Sequence, residues 1–94
     1  MESTSEKGVV VVVGVGSGLG AALARRFAAG YKVALIARSA DLIEKVSDEI
    51  RAAGGIAAPI QSDATIEEQI AATHEQIRRE LGPIEILIYN GGRR

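Results

Sequence analysis

The stretch VVVVVGVGSGLG, residues 9–20, joins five consecutive valines to a segment with glycine at positions 14, 16, 18 and 20. Five β-branched residues in a row are typical of a strand that is buried on both faces of a sheet. The apolar residues Leu19, Leu23 and Phe27, spaced by four, predict a helix immediately afterwards. We therefore interpret this stretch as a strand, a glycine-rich bend and the beginning of a helix.

The rest of the chain repeats this alternation of short apolar runs and longer helical patterns, which predicts βα units around a parallel sheet. The predicted strands are Val9–Val13, Lys32–Ile36, Ile56–Ile60 and Ile84–Ile88, and the predicted helices cover residues 18–29, 40–53 and 66–81. Right-handed crossovers give the strand order 3-2-1-4, with the first two helices on one face and the third on the other. The predicted fold class is α/β, a doubly wound three-layer αβα arrangement.

Polar residues and glycines mark the predicted helix ends. Ser39 is the expected N-cap of the second helix, and Thr65 with Glu68 forms a capping box for the third. The first helix is expected to stop at Gly30 as a left-handed C-terminal residue, and the others at Gly54-Gly55 and Gly82-Pro83. The predicted apolar faces are Leu42, Val46 and Ile50 in the second helix and Ile66, Ile70, Ile77 and Leu81 in the third.

Length and composition limit the possible functions. The 94 residues suit one domain, which we place at residues 8–94 after a polar leader, residues 1–7, that we expect to be disordered and not a secretion signal. Eleven basic and twelve acidic residues are dispersed along the chain, which does not favour a nucleic-acid or membrane partner. Cysteine is absent, which excludes thiolate chemistry and is compatible with the cytoplasmic location that we expect.

The glycine-rich bend predicts a binding site for a dinucleotide. Without Cβ atoms, the backbone N–H groups can approach a diphosphate, whose charge is favoured by the amino terminus of the following helix. The expected contacts come from Gly14, Gly16, Ser17, Gly18, Leu19 and Gly20. The alternative is a tight turn that only lets the first helix pack on the sheet. A P-loop is excluded because no Lys followed by Ser or Thr comes after the glycines.

A pair of residues that follows the second strand indicates which nicotinamide cofactor is preferred. An NAD site usually places an acidic side chain here, whereas this chain has Arg38 and Ser39. The guanidinium can pair with a phosphate in a charge-assisted fork, and Ser39 with the helix amino terminus adds donors. We therefore predict NADP(H) rather than NAD(H). The alternative is that Arg38 is a solvated cation and Ser39 only a cap.

Three segments resemble the amino-terminal half of the short-chain dehydrogenase/reductases. These are the Gly14–Gly20 segment, Asp63 after the third strand, and the Tyr89–Gly92 segment after the fourth. The resemblance covers residues 8–92 and implies a Rossmann-like fold. The family segments are Thr-Gly-x-x-x-Gly-x-Gly and Asn-Asn-Ala-Gly, and this chain departs from them at Val13, Tyr89 and Gly91.

The resemblance also implies contacts with the rest of the cofactor. Asp63 and the backbone of Ala64 would contact the adenine ring, while Asn90 and Gly91 would pack beside the ribose. Asp63 also has a structural alternative, since it precedes the third helix and can favour the positive end of its dipole. For Asn90, the alternative is an amide that ties adjacent loops together.

Catalytic residues are expected to be absent from this chain, which we interpret as truncated and inactive by itself. The family uses a serine, a tyrosine and a lysine in a Tyr-x-x-x-Lys helix beyond the fourth strand. Tyr89 and Arg93 repeat that spacing, but two glycines lie between them, and arginine does not replace lysine in acid–base chemistry. His74, the single imidazole, is expected at the surface or an interface. The carboxylates show no metal-site spacing.

Three functions remain open from the sequence. The first is an NADP(H)-binding module of an oxidoreductase. The second is a subunit or fragment of an NADP-dependent carbonyl reductase or alcohol dehydrogenase, completed by dimerisation or a partner chain. The third is a βα scaffold whose glycine bend is empty or holds an anion.

Residues 84–88 form a predicted edge strand with one charge and no proline, so we expect self-association, most simply as a two-fold homodimer. The substrate cannot be inferred.

Overall fold

In a computed structural model of the protein, residues 8–14, 19–62 and 67–89 are described. They form β1 (Val9–Val13), α1 (Leu19–Phe27), β2 (Lys32–Ala37), α2 (Ala40–Ala52), β3 (Ala57–Gln61), α3 (Glu67–Glu80) and β4 (Ile84–Tyr89). The strands pair in parallel in the order β3-β2-β1-β4. The predicted α/β class and strand order are confirmed, and each described element lies within two residues of its predicted bounds. None of the described helices is long and apolar enough to cross a membrane.

Strand β1 lies at the centre of the molecule. Its residues pair with β2 on one side and β4 on the other, so that Val11 lies opposite both Ala34 and Leu87. Val9–Val12 have no exposed surface, and alternate valines pack against the α1 and α2 face and against the α3 face. Burying one valine side chain contributes roughly 1.5–3 kcal/mol, so this strand anchors both halves of the core.

Helix α1, predicted from its apolar spacing, packs on the sheet mainly through small side chains. Ala21 and Ala24 are fully buried, whereas Leu23 and Phe27 are half-buried. The side chain of Leu19 lies outside the described part of the structure. Small residues let the helix axis approach the sheet closely, and the larger side chains then lie at the margin of the contact.

Helix α2 buries a wider face than the sequence predicts. Val46 and Ile50 are buried as expected, Ile43 and Ser47 join them, and Leu42 is only partly buried. The helix ends at a positive-φ glycine, Gly54, as predicted from the glycine pair.

Helix α3 covers the opposite face of the sheet. Ile77 is fully buried and Leu81 is half-buried, which agrees with the predicted face. Thr73 is also buried, although the sequence did not single it out. Ile66 and the side chain of Ile70 lie outside the described residues, as does the Thr65 of the predicted capping box.

The prediction that Gly30 adopts a left-handed conformation is wrong. Its φ is not positive, and α1 ends instead in a turn where the N–H groups of Gly30 and Tyr31 both donate to the Phe27 carbonyl at 3.0 Å. That turn closes with ordinary backbone angles, so glycine is not required at this position.

Substitution of Ser47 is expected to stabilise the fold. Its hydroxyl is fully buried and has no hydrogen-bond partner among the described residues. Because an unsatisfied buried hydroxyl costs about 1–3 kcal/mol and alanine is the better helix former, Ser47→Ala should raise the free energy of unfolding by about 1 kcal/mol. Urea denaturation with an unchanged m value measures this, and a lower midpoint for the variant would contradict it.

Candidate functional site

The carboxyl ends of all four described strands meet at one edge of the sheet, because every pairing is parallel. From β1 the chain proceeds outward to β2 and β3, then returns to place β4 on the other side of β1. In open α/β sheets, ligands bind beside this reversal, at the carboxyl edge. The reversal lies between β1 and β4, and of the residues beyond these strands the structure describes Gly14. The residues beyond the neighbouring β2 are the next candidates for a site.

Gly14 turns the chain out of β1 at this edge. Its φ is 83°, a conformation that glycine adopts without strain and that a Cβ disfavours. Its N–H donates to the carbonyl of Ile36 at 2.8 Å, so the beginning of the bend is fixed against the end of β2. Gly20 is buried in the first turn of α1, where the absence of a side chain allows close packing on the sheet.

Arg38 and Ser39 come directly after β2, and both are exposed. The guanidinium of Arg38 forms no ion pair or hydrogen bond within the described ranges 8–14, 19–62 and 67–89. Ser39 occupies the N-cap position of α2, as predicted, but its side chain makes no capping hydrogen bond. Neither side chain therefore uses its donors on a described residue, and both lie next to a helix amino terminus, where the first amides have no intrahelical partner.

A polar recess lies beside Arg38, between the carboxyl ends of β2 and β3. It has a volume of about 260 Å³ and is lined by Arg38, Gln61, Ser62 and Gln69. The side-chain amide of Gln61 donates to the backbone carbonyl of Arg38 at 2.9 Å. This contact joins the two strand ends across the recess.

Ser62 and Thr73 form a buried polar contact under the same edge. The Thr73 hydroxyl lies 3.2 Å from the Ser62 hydroxyl and donates to it, and both residues are buried. The Ser62 N–H donates to the Ala37 carbonyl at 3.0 Å and extends the β2–β3 ladder past β3. This network fastens α3 to the end of β3. The sequence carried one signal for it, a polar run immediately after a strand.

A small apolar cavity of about 60 Å³ lies on the α3 side of β1 and β4. Leu87 and Tyr89 line it and are 49% and 63% exposed. The half-buried His74 also lines it, which fits a residue near a surface or interface. The remaining lining residues are Val13, Ile36, Ser62 and Thr73.

The structure brings Gly14, Arg38 and Ser39 to one edge, as the sequence predicts. It adds Gln61, which sequence reasoning missed. Seven other predicted contact residues lie outside the described residues, and their roles stay predictions: Gly16, Ser17, Gly18, Asp63, Ala64, Asn90 and Gly91.

The sequence profile of the short chain dehydrogenase family matches residues 8–94. The chain belongs to this family. An uncharacterized oxidoreductase from Caenorhabditis elegans is 41% identical over 85 residues, which are 87% of this chain and 27% of that protein. The short-chain dehydrogenase fold predicted from the glycine segment is therefore confirmed.

Solved structures of the family superpose closely on this chain. The actinorhodin polyketide ketoreductase with NADPH matches 98% of the chain and 36% of its own length, with a TM-score of 0.90 and 30% identity. A metagenomic short-chain oxidoreductase in complex with NADP matches 90% of the chain and 39% of its own length, with a TM-score of 0.82 and 35% identity. This short-chain dehydrogenase chain thus spans between a quarter and two fifths of these three relatives.

The conformation of Gly14 gives a matched test of the bend. Gly14→Ala should lower the free energy of unfolding by about 1–2 kcal/mol, because a Cβ disfavours its positive φ. Gly30→Ala is the control, since Gly30 has no positive φ and its Cβ would meet nothing within 4 Å. Chemical denaturation should show the first variant weakened and the second unchanged or strengthened. Equal effects would contradict the assigned bend.

Proposed function

We propose that this chain is the cofactor-binding part of an NADP(H)-dependent oxidoreductase. The proposal rests on the position of two adjacent residues at the carboxyl end of β2, beside the Gly14 bend. Arg38 supplies a guanidinium there, and Ser39 supplies a hydroxyl. Neither side chain is engaged by a described residue. A cation and two kinds of donor at a helix amino terminus suit the 2′-phosphate that distinguishes NADP from NAD.

Each segment has a distinct part in this proposal. The amides from Gly14 to Gly20, with Ser17, hold the diphosphate, and Arg38 and Ser39 hold the 2′-phosphate. Asp63 and the Ala64 backbone contact the adenine, and Asn90 and Gly91 pack beside the ribose. The positive φ of Gly14, which turns the backbone out of the sheet at the strand end, fits this use. Two structural relatives contain NADPH or NADP, which supports the same ligand class here.

We propose that the residues that catalyse the oxidoreductase reaction lie outside the described residues of this chain. A bound nicotinamide supplies or accepts a hydride at carbon. The residues of this chain bind and orient it, and we assign none of them a catalytic role. Tyr31 packs edge-on against Phe27, with ring centroids 5.9 Å apart, at the beginning of β2 and therefore far from the carboxyl edge. We place the protein in the cytoplasm, with which its lack of cysteine is compatible.

Arg38 provides the test of cofactor choice. Arg38→Gln should weaken NADPH binding by about 10- to 100-fold, because a charge-assisted hydrogen bond is lost, while NADH binding changes little. Arg26→Gln is the matched control, because Arg26 lies in the last turn of α1, away from the carboxyl edge of the sheet. It should change the affinity for neither cofactor. Isothermal titration of the unaltered chain and the two variants with each cofactor measures this. Equal losses for both cofactors would contradict NADP preference, and binding of neither by the unaltered chain would favour an empty scaffold.

We also propose that the chain self-associates through β4. This strand is an edge among the described strands, it contains no proline, and Leu87 and Tyr89 are exposed on its α3 side. Exposed apolar edges of this kind pair with other chains. A two-fold axis beside β4 would pair the strand with its copy in antiparallel fashion and extend the sheet. The same contact is the route by which a second chain would complete a reductase site.

Leu87→Lys tests this association. A charge placed at the edge strand should convert the dimer into a monomer in light scattering after size exclusion, at micromolar concentration. Ile56→Lys is the control, because Ile56 is 40% exposed but precedes β3 at the opposite side of the sheet. A monomer for the unaltered protein, or equal effects of the two variants, would contradict the proposed dimer.

A further inference from the structure

Gln61 connects β3 to the residue that the proposed function assigns to the 2′-phosphate. It is the last residue of β3 and lies opposite Ala37 in the parallel ladder. The backbone ladder continues for one more bond, from the Ser62 N–H to the Ala37 carbonyl. The Gln61 side chain then donates to the Arg38 carbonyl at 2.9 Å, so a side chain extends the pairing beyond the last ladder bond.

Arg38 lies in the short link between two hydrogen-bonded neighbours, Ala37 and Ser39. It is exposed between the end of β2 and the beginning of α2. Among the described residues, the donor to the Arg38 carbonyl is the side-chain amide of Gln61. From the helix side, the link is held by the Ser39 carbonyl, which accepts from the Ile43 N–H at a long 3.5 Å, while the Ser39 side chain makes no capping bond. Without the Gln61 amide, the Arg38 carbonyl would lose its donor among the described residues, and the link between β2 and α2 would sample more conformations.

We propose that Gln61 is a positioning residue for cofactor selectivity. By holding the Arg38 carbonyl, its carboxamide presets the direction in which the guanidinium leaves the backbone. This inference rests on the proposed function, namely that Arg38 binds the 2′-phosphate. Gln61 is uncharged, so it adds no electrostatic preference of its own. Its effect reaches the ligand through Arg38 and concerns only ligands that carry a 2′-phosphate.

A direct contact would behave differently. Gln61 also lines the recess of about 260 Å³ beside Arg38. If it served as a wall for an adenine ring, its loss would weaken all adenine nucleotides equally. If it orders Arg38, the loss would fall on nucleotides with a 2′-phosphate alone. The ratio of two affinities therefore separates the two roles.

Gln61→Met tests the inference, because methionine keeps the length of the side chain and removes the amide donor. The affinities of the chain for 2′,5′-ADP and 5′-AMP are measured by isothermal titration. We expect 2′,5′-ADP to bind about 5- to 10-fold more weakly, with 5′-AMP unchanged, since one ordering hydrogen bond is lost. Gln76→Met, the same change on α3, is the matched control and should leave both affinities unchanged. No change with Gln61→Met, or equal losses for the two ligands, would overturn the inference.

Combining Gln61→Met with Arg38→Gln makes the two proposals separable. If Gln61 acts through Arg38, it should have no further effect on 2′,5′-ADP once the guanidinium is gone. Additive losses in the double variant would overturn the positioning role and leave the cofactor assignment intact. If Arg38→Gln alone leaves the ratio of the two affinities unchanged, the proposed function fails and this inference fails with it. Circular dichroism melts of each variant confirm that the compared proteins are folded.

Discussion

The structure depends on β1, which is paired along both edges and buried on both faces. Five identical valines fix the position of the strand in the core, but they do not specify its register, because a shift by one residue again presents valine to each face. The ends of the strand supply that information. The Lys32 N–H donates to the Gly8 carbonyl at 3.0 Å, and the Gly14 N–H donates to the Ile36 carbonyl at 2.8 Å. The glycine that ends β1 is therefore held at the carboxyl edge of the sheet.

Polar side chains at the amino and carboxyl edges of the sheet differ in their hydrogen-bond partners. At the amino edge, the Lys32 ammonium donates to the Leu81 carbonyl at 2.8 Å, and the Arg51 guanidinium makes two bonds of 3.1 and 2.9 Å to the Ala57 carbonyl. These cations are used to close the ends of helices and strands. At the carboxyl edge, the Arg38 and Ser39 side chains have no such use among the described residues. Lys32 and Arg51 are therefore engaged internally, whereas Arg38 and Ser39 use no side-chain donor on a described residue.

The sequence predicted the strands and their order well, because runs of β-branched residues and intervening helical patterns are local signals. It predicted α1 from the apolar spacing of Leu23 and Phe27 but did not single out Ala21 and Ala24, which are the fully buried residues of the helix. Arg38 was predicted as a site residue because it directly follows a strand. Gln61 was missed because its contact with Arg38 joins residues 23 positions apart and exists only once β2 and β3 pair.

The most direct test of the account is amide chemical-shift mapping of the chain during titration with NADPH. We expect the shifts to be concentrated at the carboxyl edge, at Gly14, Arg38, Ser39 and Gln61. The glycines of the turns at the amino edge, Gly30, Gly54 and Gly82, should not shift. Shifts at those turns, or no shifts at saturating NADPH, would contradict the claim that the bend after β1 holds a dinucleotide.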